Sequence, residues 1–182
     1  MLPESIGIVR VLGGLAPDTD LPMPTELQCK IQRIWRTIEA QVPGIRFNFD
    51  FWTNCHPRRA TYAACRAVIA AARQAPESEI GMIHAIQQAY YCEAKNPSEN
   101  SVLVELAGAM GLDRVNFARD LESMQTRMEL SRQIGFAQHL GVRGFPSLVL
   151  KTADNGNRLL DLDYRDAKPM FLQIMAELNG PA

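Results

Sequence analysis

Apolar residues recur along this chain at two different spacings, and the change of spacing divides it. Ile6-Gly7-Ile8-Val9-Arg10-Val11-Leu12 is β-branched, apolar and stopped by Gly13-Gly14, the pattern of a buried strand. Residues 16–24 hold Pro17, Pro22 and Pro24 among turn formers and read as a loop. From Thr25 the spacing lengthens: Leu27, Ile31, Ile34, Trp35 and Ile38 mark one helix face, with Gln28 at the capping-box position and Pro43-Gly44 at the end. Phe47, Phe49 and Phe51 alternate as a strand would, but so short a stretch reads better as an aromatic loop packed on helices. An alanine-rich helix follows over 61–73, favoured by the propensity of Ala63, Ala64, Ala67, Ala70 and Ala71. Ser78 is expected to cap the next helix, which runs to about Ala94 and breaks at Asn96-Pro97-Ser98. Further helices are expected from about Asn100 to Met110, closed by Gly111; after Asp113 as a cap; and from about Gln125 to Leu140, closed by Gly141.

Strand patterning then returns. Leu148 to Lys151 and Leu159 to Leu162 read as two strands joined across Asp154-Asn155-Gly156-Asn157, because Asn-Gly suits a type I′ hairpin turn. Asp166 is expected to cap a last helix, with Pro169 tolerated in its first turn and Met170, Phe171, Ile174 and Leu178 facing inward. A lone strand and a hairpin do not make a stable open sheet, so the first strand is predicted to join the hairpin's sheet across the helical block. The reading is an α/β domain built from residues 1–24 and 141–182, carrying an all-α insertion over 25–140.

Composition narrows the chemistry. The chain has 182 residues, 47% hydrophobic and 21% charged, enough for one domain with a real core. A formal net charge of −1 gives no electrostatic footprint for nucleic acid. No run approaches a membrane span, and Met1-Leu2-Pro3-Glu4-Ser5 lacks the basic and apolar regions of a signal peptide, so a cytoplasmic protein is expected. Cys29, Cys55, Cys65 and Cys92 form no Cys-x-x-Cys pair and read as plain buried or half-buried thiols. Cys55-His56-Pro57 has Arg58 where a redox motif needs its second thiol, and Cys65 lies early in a helix among packing alanines. His84 and His139 stand on separate helices without ligand spacing, so neither a metal nor a cofactor is expected. Arg58, Arg59 and Arg66 form a small basic cluster that suits an anion such as a glutathione carboxylate, with a solvated face as the default. Trp35, Tyr90 and Tyr91 read as core rather than as a ligand platform.

The most telling stretch is Gly141-Val142-Arg143-Gly144-Phe145-Pro146, which runs into Ser147-Leu148-Val149-Leu150. A proline at the mouth of a buried strand belongs at its first residue or at an edge, and it is also a candidate cis bond. The alternative is an ordinary trans proline at a strand start.

Taken with Val11-Leu12-Gly13-Gly14-Leu15, Phe49-Asp50-Phe51-Trp52, residues 57–68 and Ala85 to Tyr91, this loop resembles the DsbA-like branch of the thioredoxin superfamily. Proteins labelled protein-disulfide-isomerase-like or FrnE-related share the flavour. The resemblance implies a thioredoxin-like α/β fold with a large all-α insertion. It also implies that about thirty residues, with a strand and a Cys-x-x-Cys helix, normally stand before the Val-Leu-Gly-Gly-Leu strand. The resemblance thus implies a chain truncated at its N-terminus, with either a misplaced start codon or a gap closed by rearrangement or by a partner chain.

For function, the resemblance implies a thiol–disulfide oxidoreductase or isomerase family member, impaired in redox activity because the cysteine pair is absent, with no catalytic residue to assign. Arg143, Gly144, Phe145 and Pro146 would bind substrate. The backbone before the proline would hold an extended peptide, and Arg143 would raise the local potential. Expected partners are thiol or disulfide proteins and peptides, with glutathione as a further candidate; nucleic acid and membrane are not expected, and self-association is left open. Two alternatives remain: a glutathione-dependent enzyme of the kappa-transferase or 2-hydroxychromene-carboxylate isomerase type, and a non-catalytic peptide-binding module.

Overall fold

The computed structural model describes residue 3 and residues 6–152 and 156–179. Along the chain they form α1 (Thr25–Gln41), α2 (Phe51–Asn54), α3 (Tyr62–Gln74), α4 (Ser78–Cys92), α5 (Asn100–Ala109), α6 (Arg114–Glu122), α7 (Met124–His139), β1 (Leu148–Thr152), β2 (Gly156–Leu160) and α8 (Lys168–Asn179). The chain divides into two compact units, one of residues 14–131 and one of residues 1–13 with 132–182, so the boundary falls inside α7.

In the unit 14–131, α3 is the central element, packed against α4, α5 and α6. Its alanines make this possible: Ala67, Ala70 and Ala71 are wholly buried, and their small side chains let neighbouring helices approach. Around them Met82, Leu103, Phe117 and Leu121 fill the core, each worth roughly 1.5–3 kcal/mol of burial. A second, aromatic core surrounds Trp35 of α1. Phe47 stacks on it at 4.9 Å between centroids, and Phe49, Phe51, Trp52, Tyr90 and Tyr91 all lie within 6.3 Å. The aromatic stretch is thus a loop running into the short α2, packed on helices as its pattern implies.

Helix ends follow local chemistry in most places. Asp113 accepts from the amides of Val115 and Asn116 at the start of α6, and Gly111 takes φ +81° after α5. Lys168 donates its amide to Asp166 Oδ1 at 2.9 Å ahead of α8. Two expected caps differ. The α1 cap is Pro24, and Gln28 Nε2 donates to the Met23 carbonyl at 2.8 Å instead of closing a capping box. Ser78 lies inside α4, whose cap position is Glu77 with no side-chain bond, because the Pro76 turn begins the helix one residue earlier.

Loop 16–24 is tied down as a strap. Ala16 and Thr61 exchange backbone and hydroxyl bonds at 2.9–3.2 Å, and the Met23 amide donates to the Pro57 carbonyl at 2.8 Å.

In the other unit, β1 and β2 form an antiparallel pair in which Leu148 opposes Leu160 and Thr152 opposes Gly156. The pairing places β2 earlier than its sequence pattern suggests: Asp161 and Leu162 lie outside the strand, and Gly156 and Asn157 are ladder residues. Asp154 and Asn155 of the expected turn lie outside the described residues. Helix α8 packs on β2, with Ile174 and Leu160 both buried, whereas Leu178 is 40% exposed rather than inward-facing.

Residues 6–12 form no strand, contrary to their apolar pattern. The sheet of the described residues has two strands, and Ile8 and Val9 are 67% and 82% exposed. β-branched composition favours extended backbone, but a strand also needs a neighbouring ladder, which is not a local property. The segment is anchored at its end, where the Leu12 amide donates to Gln133 Oε1 at 2.8 Å.

Candidate functional site

The site is built where α7 ends and β1 begins. Gly141 takes φ +79°, a conformation costly for other residues, and its amide and that of Val142 donate back to Gln138 and Ala137. This turn delivers Arg143, Gly144, Phe145 and Pro146 as an exposed run directly before β1. The Phe145–Pro146 peptide is cis. Ser147 Oγ donates to the Gly144 carbonyl at 2.7 Å and closes the loop on itself.

Phe145 is 45% exposed, and the rest of its ring lies on Gly13. A β-carbon at residue 13 would fall 1.8 Å from Phe145 Cζ, so only glycine leaves room for the ring. Sequence reading assigned the Gly13-Gly14 doublet to stopping a strand and missed this role. The doublet was the only local signal, since the ring that needs the space comes from the far end of the chain. Among the described residues β1 pairs on one side, with β2, which leaves its second edge next to a half-exposed aromatic ring. Such an edge can hydrogen-bond an extended peptide while the ring gives an apolar contact.

The four thiols lie in the unit 14–131 and form no Cys-x-x-Cys pair. Cys29 and Cys92 are exposed, contrary to the expectation that all four are buried or half-buried. Cys55 donates to the Ala94 carbonyl at 3.0 Å. Partial burial, reinforced by the nearby Glu99 carboxylate, pushes its thiol pKa up. Burial also raises Cys65, outweighing the opposing effects of the Gly14 backbone bond and the Arg66 charge. Both shifts oppose thiolate formation, so neither cysteine has the electrostatics of an activated nucleophile.

Two members of the basic cluster, Arg58 and Arg66, are engaged in ion pairs, while Arg59 is exposed. Arg66 is 3% exposed and donates to Asp18 at 2.6 Å, to the Leu121 carbonyl at 3.2 Å and to Glu122 at 3.4 Å. Arg58 holds Glu99, the Ser98 carbonyl and Asp20. These partners are distant in sequence, which is why the sequence alone left the arginines in solvent. Arg59 sits beside them without a described bond to the cluster. Among the described residues no group of three His, Cys, Asp or Glu side chains could hold a metal ion. No described helix is long and apolar enough to cross a membrane.

This architecture is that of the DSBA-like thioredoxin domain, whose family model matches residues 6–167, and the chain belongs to that family. Solved structures agree in fold. A candidate protein disulfide isomerase from Nitrosomonas europaea superimposes with a TM-score of 0.75 at 23% identity, covering 90% of this chain and 80% of that one. The cytosolic disulfide reductase DsbM from Pseudomonas aeruginosa matches with a TM-score of 0.69 at 25% identity, covering 91% and 82%. DsbM with GSH matches with a TM-score of 0.66 at 23% identity, covering 90% and 81%.

Proposed function

We propose that this chain binds thiol- or disulfide-bearing peptides and proteins through Arg143, Gly144, Phe145 and Pro146, the substrate-holding part of a thiol–disulfide oxidoreductase. The observation that carries the reading is the half-exposed Phe145 ring seated on Gly13 at the entrance of β1, a strand that among the described residues pairs with β2 on one side. Membership of the DsbA-like family and the likeness to DsbM support it. In this reading residues 1–24 and 141–182 are the thioredoxin-like part, residues 25–140 are the helical insertion, and the setting is cytoplasmic.

Disulfide exchange begins when a thiolate attacks one sulfur of a disulfide, and a second thiol then resolves the mixed disulfide. The four cysteines here include no Cys-x-x-Cys, and burial disfavours thiolate at Cys55 and Cys65. These residues therefore bind substrate without turning it over at a useful rate. Insulin reduction driven by dithiothreitol tests this: no acceleration over the buffer rate is expected, and normal dithiol turnover would overturn it.

A glutathione-dependent activity is the second reading, favoured by the relative solved with GSH. Glutathione binding that outlasts loss of the Phe145 side chain would favour it over peptide binding.

A further inference from the structure

We propose that the helical unit carries a binding site of its own: a cleft that binds a small carboxylate-bearing ligand at Arg58, in competition with the protein's own Asp20. The cleft has a volume of about 620 Å³ and opens between the strap 16–24 and the starts of α3 and α5. Its helical walls bring Arg58, Arg66 and Arg127 against Glu99 and Glu122, which leaves them net positive. The strap then adds Asp18 and Asp20, which turn the cleft net negative. The strap thus acts as the cleft's own anionic occupant.

Its two carboxylates are held very differently. Asp18 lies 2.6 Å from the almost wholly buried Arg66 and 3.8 Å from Arg127, and Glu122 bridges the same two arginines. That end of the strap is fixed. Asp20 reaches Arg58 at 3.3 Å with its own side chain fully exposed, and such a pair is easily exchanged. Arg58 meanwhile has a buried Nε donor with no acceptor among the described residues. The side chain is kept in place by Glu99 at 2.8 Å and the Ser98 carbonyl at 2.7 Å, so it stays ready when Asp20 leaves. A ligand carboxylate can take the place of Asp20 at Arg58 Nη1, while the buried Nε stays out of its reach. Asn100, Ser101 and Thr19 supply polar groups for the remainder of such a molecule.

The test is a titration of the full chain with succinate, followed through the amide and arginine side-chain NMR signals. Wild-type protein is expected to bind weakly, with shifts centred on Arg58. Asp20→Asn, a change at a fully exposed residue, should tighten binding by roughly fivefold because it removes the internal competitor. Arg58→Gln should abolish it while the amide signals away from the cleft stay as in wild type, which separates loss of the arginine from loss of the fold. Unchanged affinity in Asp20→Asn, shifts that persist in Arg58→Gln, or binding of putrescine in preference to succinate would each overturn the proposal.

Discussion

The aromatic ring of Phe145 rests on the bare backbone of Gly13, closely enough that a methyl group there would meet three ring carbons at 1.8–2.3 Å. The contact fixes where the ring stands at the mouth of β1. Gly13→Ala should therefore turn the ring out into solvent. Because the ring is half-exposed and can swing outward, the stability cost should stay near 1 kcal/mol, the scale of a rotamer change. Peptide affinity should fall several-fold. Thermal melting and peptide titration of the same sample check both halves of the expectation.

Trp35 anchors the second core. Six aromatic side chains surround it, and it is 3% exposed. Trp35→Ala should cost about 3–5 kcal/mol in urea unfolding, the usual cost of emptying a large buried aromatic site. A cost below 1 kcal/mol would mean that the cluster is loosely packed.

Arg66 ties three separated segments together through Asp18, Leu121 and Glu122. Arg66→Met keeps much of the packing and removes the charge. Its acidic partners are each about two-fifths exposed and regain water, so the loss should be about 2 kcal/mol, less than for a wholly buried pair. The strap should also become more accessible to proteases cutting near Asp18 and Asp20.

The thiols should separate by reactivity. Cys29 and Cys92 are exposed and should react quickly with a disulfide reagent at neutral pH, while Cys55 and Cys65 lag. The same raised pKa values link to stability. Between the unfolded value of about 8.5 and the higher folded value, the native state binds more protons than the unfolded state. The contribution of these thiols is therefore complete below about pH 8.5 and is lost as pH rises through the folded value. Urea midpoints measured from pH 7 to 10 should fall at the alkaline end, and less steeply in Cys65→Ala.

What the sequence made legible was mostly local. Gly111, Asp113 and Gly141 announce helix ends because the caps they form use only neighbouring residues. The loop 143–146 stood out because glycine and proline bracket it before an apolar strand. Residues 6–12 misled because their composition speaks for extended backbone, while strand pairing depends on a partner elsewhere. The hairpin was found but its second strand was placed too late, since the ladder that starts it at Gly156 is set by pairing with Thr152. Arg58, Arg66 and Gly13 were misread for the same reason. Their partners lie far along the chain, and nothing beside them in sequence points to an ion pair or a ring.

The central claim is that Phe145 and its loop hold a substrate peptide without help from a reactive sulfur. The most direct measurement is equilibrium binding of a fluorescent cysteine-containing peptide to the chain after all thiols have been alkylated, in wild type and Phe145→Ala. Binding that survives alkylation and weakens about tenfold in Phe145→Ala is the predicted result, as expected for loss of an aromatic anchor. Equal affinity in the two proteins, or binding that vanishes on alkylation, would contradict it.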